Sequence, residues 1–545
     1  MSQDRGGAFN LSAWAIARPM PAILLFIILC GAGLLGYSKL AISKFPDITL
    51  PVVRVSISLP GAIPAQLETE VTRKVEDALT SLSKVRLIVS TVTDGNSTTM
   101  VEFQLKRDIN EATDDVRDAV TRVRPDLPQE IEEPLVAKQE FVGGTMLSFA
   151  VQSEQLSQAE LSWFVDNTVK KALFGIKGVG AVNRQGGVER EVRIDLSPGA
   201  LESYGVTASM ISLQLAQSQL ERPGGRTQYS GGEQTVRAIG VVSSIEQLQA
   251  FQVSTPDGRK LHLGDIAKVA DSVAEPRAIA LFDGKPVVSF GVVRARGASE
   301  VKLGRELRAK IAELQLRFPH LKFVEVASTV EEAQDSFESS MTMLVEGSIL
   351  AVIVVFLFLR DWRATWISAI ALPLSIIPTF GVMHLMGFSL NIITLLALAV
   401  VVGILVDDAI VEIENIVRHL KMGKSPLQAA RDAADEIGVA VIATSVTLGA
   451  VFVPVAFMPG IAGKMFREFG WTAAIAVLFS LLVARLLTPM MAAYQLKARP
   501  ADPNEDNSRL MQRYLVLVRW ALHHRGINCA VDPINFSATC GFGAK

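Results

Sequence analysis

The residues of greatest chemical interest are two adjacent aspartates, Asp407 and Asp408, which directly follow an apolar run at 388–406 and are followed by further apolar residues. A charged carboxylate at the centre of a bilayer costs about 2.5–3.5 kcal/mol, so an acid in such a segment usually belongs to an ion pathway. Adjacent carboxylates repel each other, and removal from water favours their neutral form. We therefore expect at least one of the pair to carry a proton near neutral pH, as a proton relay requires.

Polar residues continue beyond the doublet with helical spacing. Asp408, Glu412 and Asn415 recur at intervals of four and three residues, which places them on one face of a helix. Asp407 points about 100° away from Asp408, so the two cannot share one partner, although both can face a bundle interior. Gly403 would permit close approach of a neighbouring helix. In the alternative interpretation, the doublet caps a discontinuous helix or lines a packed polar interface.

Arg485 is a second charge within an apolar segment, "LLVARLLTP". Asp408 precedes the basic Arg418 by ten residues, and Arg485 precedes Lys497 by twelve, so the two charges are expected at similar depth in a membrane. Arg485 is therefore either a counter-ion for the doublet or a side chain that extends to the aqueous surface. The sequence does not decide between these two interpretations.

The composition indicates a protein that is partly embedded in a membrane and partly soluble. The 545 residues are 49% hydrophobic with a mean hydropathy of +0.33, yet 20% are charged. We predict membrane lipid as a partner, and the net charge of −2 gives no reason to expect nucleic acid. Six stretches approach the roughly 20 apolar residues that cross a bilayer. They are 20–37, 341–359, 364–386, 388–411, 439–458 and 469–494.

The first apolar stretch is either a cleaved signal peptide or a retained anchor. Arg5 and Arg18 flank it, but no small-residue cleavage site follows, which favours the anchor. The short basic loops at 360–363, 418–425 and 497–499 predict a cytoplasmic location for these loops. Both termini are then cytoplasmic, and residues 40–335 are exported.

The exported region alternates strands with amphipathic helices. Residues 52–60 and a hairpin at 85–105 read as strands, and Leu67, Val71, Val75 and Leu79 mark the buried face of a helix at 64–82. A second helix is expected to begin at an N-terminal cap, Asn110. A similar pattern recurs between residues 146 and 328. The predicted fold is therefore a six-helix membrane bundle with an exported α+β domain of two ferredoxin-like β-α-β subdomains.

The predicted boundaries divide the exported region into two subdomains and an insert. The first subdomain covers 40–132 and the second covers 133–181 and 273–335, with an insert at 182–272. Within the insert, the Gly-rich segment 221–234 is either a surface loop or a protruding arm, and composition alone favours the loop. No nucleotide-binding P-loop, H-E-x-x-H or G-x-S-x-G motif occurs, so we predict no enzymatic activity. The three cysteines lie outside the exported region, which offers no cysteine metal site.

Five stretches of the chain together form a recognisable pattern. They are "FPDITLPVV" (45–53), "FLFLRDWRAT" (356–365), "GILVDDAIVEIEN" (403–415), "VFVPVAFMPG" (451–460) and "LLTPMMA" (486–492). This pattern resembles the resistance–nodulation–division (RND) superfamily, and most closely the inner-membrane permease of tripartite multidrug efflux pumps of the acriflavine-resistance type. The resemblance covers roughly residues 9–526, and its most specific part is the doublet motif.

The resemblance implies a proton-driven exporter of drugs or other small amphiphilic compounds in a bacterial inner membrane. Asp407 and Asp408 would carry the coupling protons, and no other cofactor is expected. The exported region would lie in the periplasm as two porter subdomains and half of a docking domain. Segment 221–234 would then be an arm that reaches into a neighbouring subunit of a homotrimer. A periplasmic adaptor and an outer-membrane channel would complete the assembly.

Two departures from the family pattern qualify this expectation. The chain is about half the usual length and ends in an atypical cytoplasmic tail at 499–545, so we expect a truncated N-terminal half that lacks the family's lysine partner for the aspartates. Some family pumps line the drug pocket with phenylalanine where this chain has Met146 and Gln185.

Two alternatives to a drug exporter follow from the sequence. A metal-ion exporter of the same superfamily would need clustered methionines, but Met100, Met146 and Met210 are scattered. A membrane fragment that does not transport is the other alternative, and the tail is the observation that favours it.

Overall fold

A computed structural model describes residues 11–48, 50–139, 144–218, 221–229, 232–239, 242, 244–276, 278–497 and 509–523. Segments 221–229 and 232–239 are described by their backbone. Arg5 and all of the predicted tail except 509–523 lie outside the described residues.

The α-helices of the described residues are numbered in chain order. They are α1 (Leu11–Ala17), α2 (Pro19–Lys39), α3 (Pro64–Leu67), α4 (Arg73–Thr80), α5 (Ile109–Val123), α6 (Gln158–Phe164), α7 (Lys170–Phe174), α8 (Pro198–Tyr204), α9 (Ala208–Ser218), α10 (Ile245–Gln249), α11 (Leu263–Ile266), α12 (Glu300–Arg317), α13 (Val330–Leu359), α14 (Trp362–Leu385), α15 (Ile392–Lys421), α16 (Pro426–Ala456), α17 (Gly460–Leu482), α18 (Thr488–Gln495) and α19 (Arg509–His523). Single π-helical turns join α3 to α4, α6 to α7 and α17 to α18.

The strands of the described residues are numbered in the same way. They are β1 (Val52–Ser58), β2 (Val85–Thr93), β3 (Asn96–Phe103), β4 (Leu135–Lys138), β5 (Thr145–Ser153), β6 (Val179–Gly186), β7 (Arg190–Leu196), β8 (Glu221–Tyr229), β9 (Gly232–Ile239), β10 (Gln252–Ser254), β11 (Lys260–His262), β12 (Ala267–Val273), β13 (Ala280–Phe282), β14 (Lys285–Arg294) and β15 (Leu321–Ser328).

Six helical segments in the described part of the chain are long and apolar enough to cross a membrane, which confirms the predicted number. They are α2, α13, α14, α15, α16 and the continuous segment Gly460–Gln495, which combines α17 and α18. In α15 half of the most apolar stretch is buried, whereas in α13 only 11% is buried. The exposed apolar side chains of α13 are suited to contact lipid, because lipid tails impose no penalty on them.

Helix α15 begins four residues later than predicted and is continuous through the aspartate doublet. The Asn391 side chain caps it by accepting hydrogen bonds from the backbone N–H groups of Ile393 and Thr394. The preceding Leu390 instead forms an isolated bridge with Ile42. Since the helix runs unbroken to Lys421, the doublet does not cap a helix end. Of the two structural alternatives for the doublet, only the packed polar interface fits this helix.

The first four-stranded sheet has the order β2-β3-β1-β4, and all neighbouring strands are antiparallel. Helices α4 and α5 contribute buried residues to one hydrophobic core with β1 and β3. The four predicted core positions on the first helix are all buried, at Leu67, Val71, Val75 and Leu79. The predicted cap of the second helix was wrong. Asp108 caps α5, because its carboxylate accepts hydrogen bonds from two backbone N–H groups.

The second sheet repeats the same strand order, as β6-β14-β5-β15, with the short strand β13 beside β14. The insert separates β6 from β14 where the first unit has a two-residue hairpin turn. Strand β6 extends to Gly186, so the insert begins five residues after the predicted position of 182. The described residues of segment 221–234 lie in a two-stranded antiparallel ribbon of β8 and β9.

The α+β domain is tied to the helical bundle through a buried arginine. Arg294, at the end of β14, forms ion pairs with Asp47 and Glu300. The Glu300 N–H donates a hydrogen bond to the Ile42 carbonyl at 2.8 Å. Ile42 in turn pairs with Leu390, at the entry to α15. This chain of contacts fixes the start of the doublet helix against the second sheet.

Candidate functional site

One face of α15 carries a stripe of buried polar side chains. Asp408 is 8% exposed, Glu412 is completely buried, and Asn415 and His419 are also buried. Their spacings of four, three and four residues keep them on one side of the helix, as the sequence predicted for the first three. This stripe faces α16 and α17, which pack against α15.

Asp408 lies between two serine hydroxyl groups from neighbouring helices. Ser445 Oγ on α16 lies 3.3 Å from Asp408 Oδ2, and Ser480 Oγ on α17 lies 3.2 Å from the same oxygen. Each hydroxyl also has a backbone acceptor, the Val441 carbonyl at 2.9 Å for Ser445 and the Leu405 carbonyl at 3.1 Å for Ser480. Sequence reasoning missed both serines.

The alternative acceptors allow the Asp408 site to accommodate either protonation state. A serine hydroxyl has one proton and two acceptor lone pairs. When Asp408 is ionised, both hydroxyls can donate to it. When Asp408 is neutral, the hydroxyls can turn to their backbone carbonyls, and the carboxyl proton can be donated to a serine oxygen. Every buried donor therefore has an acceptor in both states. A change of charge in an apolar interior usually costs free energy because it leaves a buried donor or acceptor unpaired, and this site avoids that cost.

Asp407 lies on the exposed face of α15, about 100° from Asp408. It forms no hydrogen bond or ion pair with any side chain that the structure describes. The expectation that the two aspartates point apart is met, but only Asp408 faces the interior of this six-helix bundle.

Arg485 is directed at Glu412 rather than at either aspartate of the doublet. Its Nη1 lies 3.8 Å from Glu412 Oε2 and donates a hydrogen bond to the Ala434 carbonyl at 2.9 Å. The arginine lies in the π-helical turn Val483–Leu487, and its side chain is 11% exposed. It therefore does not extend to the aqueous surface. Gly438 makes room for it, since a Cβ at this position would lie 2.7 Å from Arg485 Nη2.

The polar stripe ends in a group of charged residues at the C-terminal end of α15. His419 Nε2 lies 2.8 Å from Glu436 Oε2, and Arg418 Nη2 forms an ion pair with the same carboxylate at 2.6 Å. Lys424 Nζ lies 2.8 Å from His419 Nδ1 and 2.7 Å from Asp432. Buried polar groups thus lead from Asp408 to the basic loop that follows α15.

The two residues predicted for a substrate pocket do not come together in this chain. Met146 is 2% exposed and packs in the core of the second sheet. Gln185 is exposed on β6, and β14 separates β6 from the β5 strand that carries Met146. Their assignment to a pocket therefore stays a prediction.

The methionines named for the metal-exporter alternative are also separated. Met146 lies in the core of the second sheet, Met100 is exposed on β3, and Met210 packs against the core of the insert. Among the described residues, no three His, Cys, Asp or Glu side chains are grouped to hold a metal ion.

Comparison with known proteins identifies the class of protein to which this bundle and domain belong. The model of the AcrB/AcrD/AcrF family matches residues 11–540, and the chain belongs to this family. The match extends beyond residue 526, where the resemblance was expected to end.

The chain is similar to proteins named multidrug resistance protein MdtC. It is 34% identical to that of Yersinia enterocolitica (serotype O:8 / biotype 1B) over 495 residues, which is 90% of this chain and 48% of the relative. It is 34% identical to the MdtC protein of Klebsiella pneumoniae strain 342 over 93% of this chain and 50% of the relative. It is 33% identical to the MdtC protein of Escherichia coli O139:H28 over 93% of this chain and 50% of the relative. The chain thus spans about half the length of the curated relatives it matches.

Proposed function

We propose that this chain acts as the N-terminal half of a proton-driven RND efflux permease. Its substrates would be drugs or other small amphiphilic compounds, in line with the names of its relatives. The observation that carries the proposal is the Asp408 site, where two serine hydroxyls with alternative acceptors can accommodate a charged or a neutral carboxyl group. A site of this kind can bind and release a proton without losing its packing.

The proposed location is a bacterial inner membrane, with the α+β domain in the periplasm. The basic loops at 360–363 and 418–425 support this orientation. The strand order of both four-stranded units supports two ferredoxin-like porter subdomains, and the insert between β6 and β14 would form part of a docking domain. The β8–β9 ribbon would be the arm that reaches a neighbouring subunit.

The proposed assembly is a homotrimer that binds a periplasmic adaptor and an outer-membrane channel, with lipid around its membrane bundle. Family membership supports this assembly. Protons are the proposed coupling ion, and Asp407 would join Asp408 when the second half of the bundle is present. The separation of the three methionines gives no support to a metal-ion substrate.

The proposal is tested by co-producing this chain with the second half of an MdtC relative in bacteria that lack their own drug pumps. Co-purification first establishes that the halves assemble. We expect ethidium efflux that stops when a protonophore is added and falls to the level of empty cells for Asp408→Asn. Glu414→Gln is the matched control, because it removes a carboxylate from an exposed position of α15.

An assembled complex whose efflux rate is unchanged in Asp407→Asn/Asp408→Asn would contradict proton coupling through the doublet. The packed polar interface would then be the correct interpretation.

A further inference from the structure

We propose that Glu412 is a third proton-carrying carboxyl group of the membrane bundle, one helical turn from Asp408, and that Arg485 is its fixed positive partner. This inference rests on the proposed proton-driven function. It goes beyond that function because it adds a proton site that the doublet motif does not include.

The geometry around Glu412 is not that of a structural ion pair. The side chain is completely buried, and neither carboxylate oxygen accepts a hydrogen bond. Structural arginine–carboxylate pairs usually have N–O distances of about 2.7–2.9 Å and often two hydrogen bonds. Here the closest distance is 3.8 Å. Glu412 is thus a buried acid with free acceptor sites, and a buried polar group without partners requires a functional or structural explanation.

Arg485 is held in place without any help from Glu412. It donates a hydrogen bond to the Ala434 carbonyl, and Gly438 leaves space for the guanidinium group. Its positive charge therefore stays beside Glu412 whether that carboxyl is ionised or neutral. Glu412 can therefore gain or lose a proton without breaking a hydrogen bond of its own and without displacing Arg485.

The charges that face Glu412 come from two elements. The π-helical turn supplies Arg485, and α15 itself supplies Asp408. On α16, Asp435 and Glu436 follow Ala434, whose carbonyl accepts from Arg485, but both acids are exposed, and Glu436 is bound by Arg418 and His419. Helix α1 contributes none, because Leu11–Ala17 contains no charged residue.

Counting charges indicates that these groups share one proton. With both carboxyls ionised, Asp408, Glu412 and Arg485 sum to −1, and one bound proton makes the group neutral. Buried charges are most stable when they are balanced, so the neutral arrangement is favoured. In the proposed transfer, the O–H bond on Asp408 breaks and an O–H bond forms on a Glu412 oxygen. The negative charge moves to Asp408, and the proton advances one turn toward Asn415 and His419.

The test is modification of the full chain in membranes by a hydrophobic carbodiimide, which reacts with protonated carboxyls. Peptide mass spectrometry would follow each residue over a pH series. We expect Glu412 to be modified, and more strongly at lower pH. Asp408→Asn should reduce modification of Glu412, because the competing negative charge is gone. Glu414→Gln is the matched control and should leave the Glu412 profile unchanged.

Arg485 variants complete the test. Arg485→Leu should increase Glu412 modification at each pH, whereas Arg485→Lys should retain most of the wild-type profile, because it keeps the charge. If Arg485→Leu does not reach the membrane, the Lys variant and Asp408→Asn still decide the question.

The inference is overturned if Glu412 stays unmodified at every pH, or if its profile does not respond to Asp408→Asn. Either result leaves the efflux test of Asp408 unaffected. Conversely, efflux that survives Asp408→Asn refutes the proposed function even where Glu412 is modified as expected.

Discussion

At the scale of single residues, Asp408 is buried between two serine hydroxyl groups that come from neighbouring helices. A carboxylate in an apolar helix is costly wherever it lies, so the doublet was recognisable. Ser445 and Ser480 carried no such signal, because a serine in a membrane helix commonly bonds to its own backbone four residues earlier. Ser445 does this as well as reaching Asp408. That a hydroxyl both bonds to a backbone carbonyl and contacts Asp408 follows only from the packing of the helices.

For Arg485, too, the sequence did not reveal which group it would contact. Helix length predicted that Arg485 would lie near the level of the doublet, and it lies beside Glu412, one helical turn from Asp408. Its partner was not predictable. The partner depends on the π-helical turn that directs it and on the space that Gly438 leaves on α16. Glu412 had a usable signal, since it follows Asp408 by one turn and lies on the same face.

We predict that Gly438→Ala displaces Arg485, because the added Cβ would lie 2.7 Å from its Nη2. Losing the hydrogen bond from Arg485 to the Ala434 carbonyl should destabilise the bundle by about 1.5–3 kcal/mol, the usual contribution of a hydrogen bond to a charged group. Gly449→Ala on the same helix is the matched control, since no atom lies within 4 Å of its added Cβ. Thermal unfolding in detergent compares the two, and equal melting temperatures would contradict the prediction.

At the scale of secondary-structure elements, hydrophobic spacing was the strongest signal. The helix at 64–82 was predicted from four apolar positions, and all four are buried. Helix ends were less predictable, because several nearby side chains can serve as caps. Asp108 caps α5 where Asn110 was expected, and Asn391 starts α15 where the apolar run suggested residue 388.

The cap of α5 leads to a prediction about pH. Hydrogen bonds from the backbone N–H groups of Glu111 and Asn110 hold the pKa of the Asp108 carboxyl below its usual range. Because the pKa of Asp108 is lowered in the folded state, the cap stabilises α5 fully at pH values above the ordinary aspartate pKa. This stabilisation is lost as the pH falls through the lowered value.

Hydrogen exchange at residues 109–113 measures this effect. We expect protection of the first turn of α5 to fall at acidic pH in the wild type. In Asp108→Asn, where no charge titrates, protection should change much less over the same range. Identical pH dependence in the two proteins would show that Asp108 does not stabilise the helix through its charge.

At the scale of the whole molecule, the number of spans and the recurring succession of strands and helices along the chain were predictable from local patterns. The order of the strands within each sheet, β2-β3-β1-β4 and β6-β14-β5-β15, depends on pairing between distant segments and comes from the structure. The attachment of the domain to the bundle through Arg294 was not predictable, because Asp47 and Glu300 are distant from each other in sequence.

The proposed orientation predicts opposite locations for two exposed turns. A reporter enzyme that is active only after export should be active when fused at Gly297, beside β14, and inactive at Gly423, after α15. The basic loop at 418–425 is the reason, because such loops stay in the cytoplasm. Activity at Gly423, or its absence at Gly297 in a fusion that reaches the membrane, would refute the orientation.

The most direct test of the central claim is infrared difference spectroscopy of the purified chain in lipid during a pH titration. A protonated carboxyl in an apolar site gives a C=O stretching band that disappears when the group ionises. We predict a reversible band of this kind that is reduced in Asp408→Asn, because the contribution of Asp408 is gone, and altered in Ser445→Ala/Ser480→Ala, while Glu414→Gln retains it. A titrating band that is unchanged in Asp408→Asn, or no band assignable to Asp408 at any pH, would contradict the account.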